Sequence, residues 1–133
     1  MQFDPTKPTF VLMEGLTYYL HREAVEATLR TVATQLAKGS AVSFDYLGRH
    51  IIENNGPLFY RLLIPLAARL MGVGWVFGIS TDSPAEGQLA TFLGQNGLRL
   101  TRFEAVGRAD SKYGLVGGLV LATNDQTGDQ PSA

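Results

Sequence analysis

Apolar and polar positions change period several times along the chain, and each change marks an element. Thr9 to Met13, TFVLM, is apolar without alternation, the pattern of a strand covered on both faces. From about 22 to 37 the period becomes helical. Val25, Leu29, Val32, Ala33 and Leu36 fall on one stripe, and Gly39 stands where a C-terminal cap belongs. SAVSFDY, residues 40 to 46, reads as a second strand. This strand–helix–strand unit implies a right-handed crossover with parallel strands. Residues 48 to 56 are polar and irregular towards their end. Pro57 can open a helix running to about Met71, apolar nearly all round and disturbed at Pro65. Such a helix is buried or faces a partner. SPAE, 83 to 86, starts another: Ser83 as cap, Pro84 in the first turn and Glu86 completing a capping box. Leu89, Phe92 and Leu93 form its inner face, and Asn96-Gly97 ends it. Strands at about 98–105 and 115–123 follow, joined as an antiparallel hairpin by GRADSKYG.

The order is therefore strand, helix, strand, two helices, then a hairpin, which is α/β architecture. Residues 1–123 form one domain, and NDQTGDQPSA, 124–133, reads as a disordered tail. Ligands in such sheets bind at the carboxyl ends of parallel strands. Glu14 and Asp45 both fall there, on strands expected to be neighbours, so their side chains can share one crevice.

Composition narrows the function. Hydrophobic residues make up 45% and charged residues 17%, an ordinary globular balance. The net charge of -1 provides no bulk field for nucleic acid or anionic lipid, so neither partner is expected. The absence of cysteine excludes disulfides, thiolate catalysis and cysteine-ligated metal, and fits a cytoplasmic protein. The most apolar stretch, 57 to 77, contains Arg61 and Arg69, and each would cost about 2.5–3.5 kcal/mol at a bilayer centre, so no membrane span is expected.

Each candidate residue has a functional and a structural reading. Glu14 can hold a cationic or hydroxylated ligand, with Gly15 allowing close approach to the backbone. It can equally be a solvated loop residue or cap the next helix. Tyr18 and Tyr19 can line a pocket, though one is expected to pack in the core. Asp45 can orient a substrate or cap the turn after its strand. His21 and His50 lack metal-ligand spacing, so no metal site is expected. No G-x-S-x-G is present, and Gly72-x-Gly74 runs into WVF rather than a glycine-bounded helix, so neither a nucleophile elbow nor a dinucleotide fingerprint is read. Arg61 and Arg69 read as structural or interfacial.

Residues 3 to 47, from FDPTKPTFVLMEGLTYYL through SFDYL, resemble the second half of an S-adenosylmethionine-dependent O-methyltransferase. The match is to the leucine carboxyl methyltransferase group and its bacterial relatives. It rests on an apolar strand ending in Glu14-Gly15, then Tyr19-Leu20 before a helix, with FDY at 44 to 46 and FGI at 77 to 79 in the right order. The resemblance implies a partial Rossmann-like class I methyltransferase sheet. Strands 9–13, 40–46, 98–105 and 115–123 would be the family's fourth to seventh, the last inserted between the second and third of this chain and antiparallel to both.

The resemblance further implies a cofactor, S-adenosylmethionine, held by Glu14, Gly15 and Tyr18, and an acceptor (a small molecule or a carboxylate) bordered by Tyr19, Asp45 and Tyr46. The family's first three strands, which carry the rest of the cofactor site, have no counterpart here. On this reading the chain is a fragment with an incomplete site. Strand 9–13 becomes an apolar edge, and self-association through it or through helix 57–71 is expected, with poor solubility. The alternative is a non-catalytic α/β interaction or small-ligand-binding module.

Overall fold

The computed structural model of the 133-residue chain describes residues 4–52, 77–79, 85–108, 110 and 115–125, together with 58, 62, 63, 66, 69 and 70. Strand β1 (Phe10–Met13) leads through one turn of 3₁₀ helix (Thr17–Tyr19) into helix α1 (Arg22–Gln35). Strand β2 (Ala41–Leu47), the short helix α2 (Arg49–Ile52), helix α3 (Ala85–Gln95) and strands β3 (Arg99–Gly107) and β4 (Leu115–Thr123) complete the described order. Among the described residues no helix is long and apolar enough to cross a membrane.

The four strands form one sheet in the order β1-β2-β4-β3. β1 and β2 are parallel, and β4 is antiparallel to both β2 and β3. The last strand has thus inserted between the second and third, as the family resemblance implies. A strand bonded on both sides is shielded along both edges, which suits the apolar run LVGGLVLAT. β3 has to absorb a register shift between Leu100 and Arg102. The shift lets Leu100 and Phe103 pack against the core while Arg102 lies in a row with Leu121.

One face of the sheet carries the core. Along β2 burial alternates, so Val42, Phe44 and Tyr46 point inward and lie beside Ala122, Val120 and Gly118 of β4. Val25, Leu29 and Val32 of α1 and Leu89, Phe92 and Leu93 of α3 close over them. α1 forms because its stripe repeats at helical spacing, and it ends two residues before the predicted limit. Leu36 is extended, and Gly39 serves the next turn, where the Ser40 amide donates to Ala37 O at 3.1 Å. Buried Ser40 ties three strands together: its hydroxyl accepts the Thr9 amide at 2.9 Å, and its carbonyl accepts the Asn124 amide at 3.0 Å.

Asn124 stands where the sequence predicts the disordered tail to begin. Its side-chain nitrogen instead donates to the carbonyls of Val32, Leu36 and Ala37 at 3.1–3.2 Å. Val32 lies in the last turn of α1 and Leu36 and Ala37 follow it, where backbone carbonyls run short of helical donors, so an amide donor is well used there. Asp125 follows, its carbonyl accepting Arg99 Nε at 3.3 Å, and residues 126–133 lie outside the described residues.

The other face of the sheet departs from expectation. β1 was predicted to be covered on both sides, yet Phe10 is 60% and Leu12 61% exposed. The reason is that α1 and α3 both lie on the opposite face. Leu12, Ser43, Leu121 and Arg102 make one row across this uncovered face, and Asp45, Leu119 and Glu104 the next. A groove of about 360 Å³ runs between Phe10, Leu119 and Leu121. The helix expected over 57–71 lies largely outside the described residues. Of its described positions, Leu58, Leu62, Leu63, Leu66 and Leu70 are helical and exposed. The capping residues Ser83 and Pro84 lie outside the described residues too.

Tyr46 is only 2% exposed, and its hydroxyl has no hydrogen-bond partner among the described residues. Burial pushes its ionisation up to about 12. In the unfolded chain it ionises near 10. Between those values the native state binds more protons. The stabilisation is therefore complete below pH 10 and is lost as pH rises towards 12, by roughly 2–3 kcal/mol. Tyr46→Phe is expected to abolish this alkaline loss. By removing an unpartnered hydroxyl, it should also raise stability at neutral pH by about 1 kcal/mol. Urea unfolding at pH 8, 10 and 11.5 measures both effects; a variant that loses stability in parallel with the wild type would contradict the assignment.

Candidate functional site at the carboxyl ends of the parallel strands

Where β1 ends the chain must leave the sheet and turn back into α1. Met13 is buried, Glu14 is exposed, and Gly15 takes φ of 63°. That left-handed conformation favours glycine, which is why Gly15 and not a larger residue follows Glu14. A side chain there would also meet the Tyr18 hydroxyl, 3.5 Å from the Cβ position.

Asp45 fixes this turn twice. Its Oδ1 accepts the Gly15 amide at 2.8 Å, and its backbone carbonyl accepts the hydroxyl of buried Thr17 at 2.5 Å. A carboxylate bonded to a backbone amide is among the stronger neutral-donor hydrogen bonds. Asp45 sits on the uncovered face and reaches back to β1's exit. It holds the turn that carries Glu14, and does not cap the turn after its own strand. Thr17 was not singled out in the sequence, although its place between Gly15 and the tyrosines was the available signal.

The tyrosines complete the rim. Their ring centroids are 4.8 Å apart at 52°. Tyr18 is half-buried and Tyr19 42% exposed, so neither is the core tyrosine that was expected. Burial raises the Tyr18 ionisation above its usual value, and the negative charges of Asp45, Tyr19 and Glu14 add to the effect in that order. Tyr18 thus feels both carboxylates. The Tyr18 carbonyl accepts the Phe77 amide at 3.4 Å, which ties the rim to the FGI segment. Ile79 in turn bridges Gly48 at the end of β2.

Glu14, Gly15, Tyr18, Tyr19 and Asp45 are therefore brought to one end of the sheet. Tyr46 is not. Adjacent strand residues face opposite sides, so with Asp45 on the open face Tyr46 points into the core, stacked on Phe103 at 6.4 Å. His21 is exposed where α1 begins. No group of His, Cys, Asp and Glu suited to a metal is found among the described residues. The assembled rim offers negative charge, an aromatic edge and close access to backbone at Gly15. That set suits a ligand with a cationic end.

The fold is that of S-adenosylmethionine-dependent methyltransferases. An S-adenosylmethionine-dependent methyltransferase from Methanosarcina mazei matches 92% of this chain with a TM-score of 0.54 at 12% identity, and 62% of its own length is covered. A Thermobifida fusca protein described as a methyltransferase gives 0.57 at 16% identity over 91% of this chain and 45% of its own. Mitomycin 7-O-methyltransferase gives 0.52 at 19% identity over 91% and 31%. The chain thus spans less than two thirds of each of these structures. Within that fold, the sequence model of the leucine carboxyl methyltransferase family matches residues 1–33, the stretch that contains β1, Glu14 and the two tyrosines. The chain resembles that family there. No curated protein matches the sequence.

Proposed function

We propose that this chain supplies the carboxyl-terminal half of a cytoplasmic S-adenosylmethionine-dependent O-methyltransferase acting on a carboxylate. The observation that carries this reading is the bond from the Gly15 amide to Asp45, which holds Glu14 at the exit of β1 inside the family-matched stretch. The residues present fit the cofactor's methionine end: Glu14 faces solvent beside a glycine turn that admits a ligand close to the backbone. When bound, the cofactor supplies an electrophilic sulfonium methyl. Glu14 counters the cationic end, Gly15 lets it approach, and the Tyr18 edge borders it. Tyr19 borders the acceptor. Asp45 positions the turn, and Tyr46 supports it from beneath β2 through packing. A carboxylate acceptor is ionised at neutral pH, so no general base is required of His21 or His50. The protein's contribution is alignment and exclusion of water.

Calorimetry with S-adenosylmethionine tests this directly. Saturable binding is expected, weakened about tenfold by Glu14→Gln, the usual size of one charge-assisted hydrogen bond. A cooperatively folded sample that binds none would remove cofactor binding from this chain. A second reading, a non-catalytic interaction module, is favoured by the exposed Leu58, Leu62, Leu66 and Leu70, which recur at helical spacing. It expects self-association without cofactor binding.

A further inference from the structure

On the helical side of the sheet the first turn of α1 meets α3. The Arg22 guanidinium lies over the ring of buried Phe92, 5.1 Å from its centroid. Its Nε donates to Glu26 Oε1 at 2.8 Å, while Glu26 Oε2 accepts Arg30 Nη2 at 3.2 Å. Stacking and one hydrogen bond hold the guanidinium plane, and the terminal nitrogens take no part in that bond. Two arginines share the charge of Glu26, so the cluster keeps a surplus of positive charge in a chain whose net charge is -1.

Beside it is a groove of about 310 Å³, lined by Arg22, Arg49, Gln88, Thr91, Phe92 and Gln95. None of its described lining residues is acidic. Arg49 is fixed at the backbone, because its amide donates to Ile79 O at 2.9 Å and Gly78 packs against its Cα so closely that a Cβ would sit 2.8 Å away. Arginine in a held plane matches the two oxygens of a carboxylate or phosphate and loses little freedom on binding.

We propose that this groove is a binding site for an oxyanion, the carboxylate or phosphate group of a small molecule, recognised by Arg22 and Arg49. Gln95 adds a neutral amide to the lining, no acidic side chain among the described lining residues opposes the charge, and the Thr91 hydroxyl is already engaged, donating to Gly87 O at 2.9 Å. Arg22 keeps about half its side chain exposed, with a relative accessibility of 49%, so the site is screened and binding falls as salt rises.

The experiment is a titration of the whole chain, without S-adenosylmethionine, followed by calorimetry and by amide chemical shifts of α1 and α3. Inorganic phosphate and succinate are the two probes, at low and at 0.5 M salt. Saturable binding of one or both is expected, and their relative affinities say which oxyanion the groove prefers. Arg22→Gln and Arg49→Gln should each weaken it about tenfold. Arg102→Gln, on the other face of the sheet, should leave it unchanged. Arg22→Lys keeps the charge but not the fork, and should recover only part of the affinity. Circular dichroism melts confirm that each variant is folded. Absence of saturable binding by either probe, or binding that survives both glutamine variants, would overturn the proposal. Because no cofactor is present, neither result depends on the methyltransferase reading.

Discussion

Gly117→Ala is expected to leave little or no folded protein. A Cβ at Gly117 would lie 2.0 Å from the Tyr46 carbonyl oxygen, 3.1 Å from its carbon and 3.2 Å from Leu47 Cα. All three are backbone atoms, so no rotamer change relieves the clash. Relief requires β2 and β4 to separate where Leu47 faces Gly117 and Tyr46 faces Gly118. β4 is bonded on both sides, so the displacement would spread to β3. The loss should exceed about 4 kcal/mol, a large share of the roughly 5–15 kcal/mol that stabilises a domain. Gly94→Ala is the matched control. It lies within α3, and nothing stands within 4 Å of its Cβ position. Better helix propensity should stabilise the chain by up to about 1 kcal/mol. Thermal melts followed by circular dichroism compare the two. A Gly117→Ala protein that melts cooperatively within a few degrees of the wild type would refute the close approach.

That pair of glycines shows where sequence reasoning stopped. LVGGLVLAT reads as a buried strand from its apolar residues, and its boundaries match β4. Why two glycines interrupt it is a fact about the neighbouring strands: Gly117 lies against Tyr46 and Leu47 of β2, and Gly118 against Phe103 and Glu104 of β3 and the Tyr46 ring. Periodicity predicted the strands and helices because their burial repeats locally. The insertion of β4 between β2 and β3 came from the family resemblance, since local pattern carries no information on strand order. TFVLM shows the opposite failure. An unalternating apolar run indicates two faces that need cover, and the described elements cover only one.

The site divides in the same way. Glu14-Gly15 was legible because a charge and a glycine end an apolar strand, a local signal. The role of Asp45 was not, since its partner is 30 residues away. Period two alone puts Tyr46 on the face opposite Asp45. The family match of FDY as a block drew it into the site instead. Arg22 and Phe92 meet only once α1 and α3 pack, so Phe92 read as a core residue alone and Arg22 did not stand out in the sequence.

The uncovered side of the sheet leads to the second large effect: self-association that is lost when Phe10 and Leu12 become charged. Among the described strands β1 pairs with β2 alone, and both exposed side chains lie on β1. Two copies related by a twofold axis could pair their β1 edges antiparallel, bringing the same residues of each copy together in a continuous sheet. Fully burying such a side chain contributes about 1.5–3 kcal/mol. Removing two per copy should therefore weaken association by at least about 100-fold, even after the cost of ordering. Sedimentation equilibrium at micromolar to tens of micromolar concentration should find dimers or larger species for the wild type and monomer for Phe10→Lys/Leu12→Lys. Leu62→Glu/Leu66→Glu tests the competing surface. If that pair alone releases monomer, the interface lies on the leucine-bearing helix instead. A wild-type chain that sediments as a clean monomer and unfolds cooperatively would show that the open face is stable in water, and the self-association reading would fall.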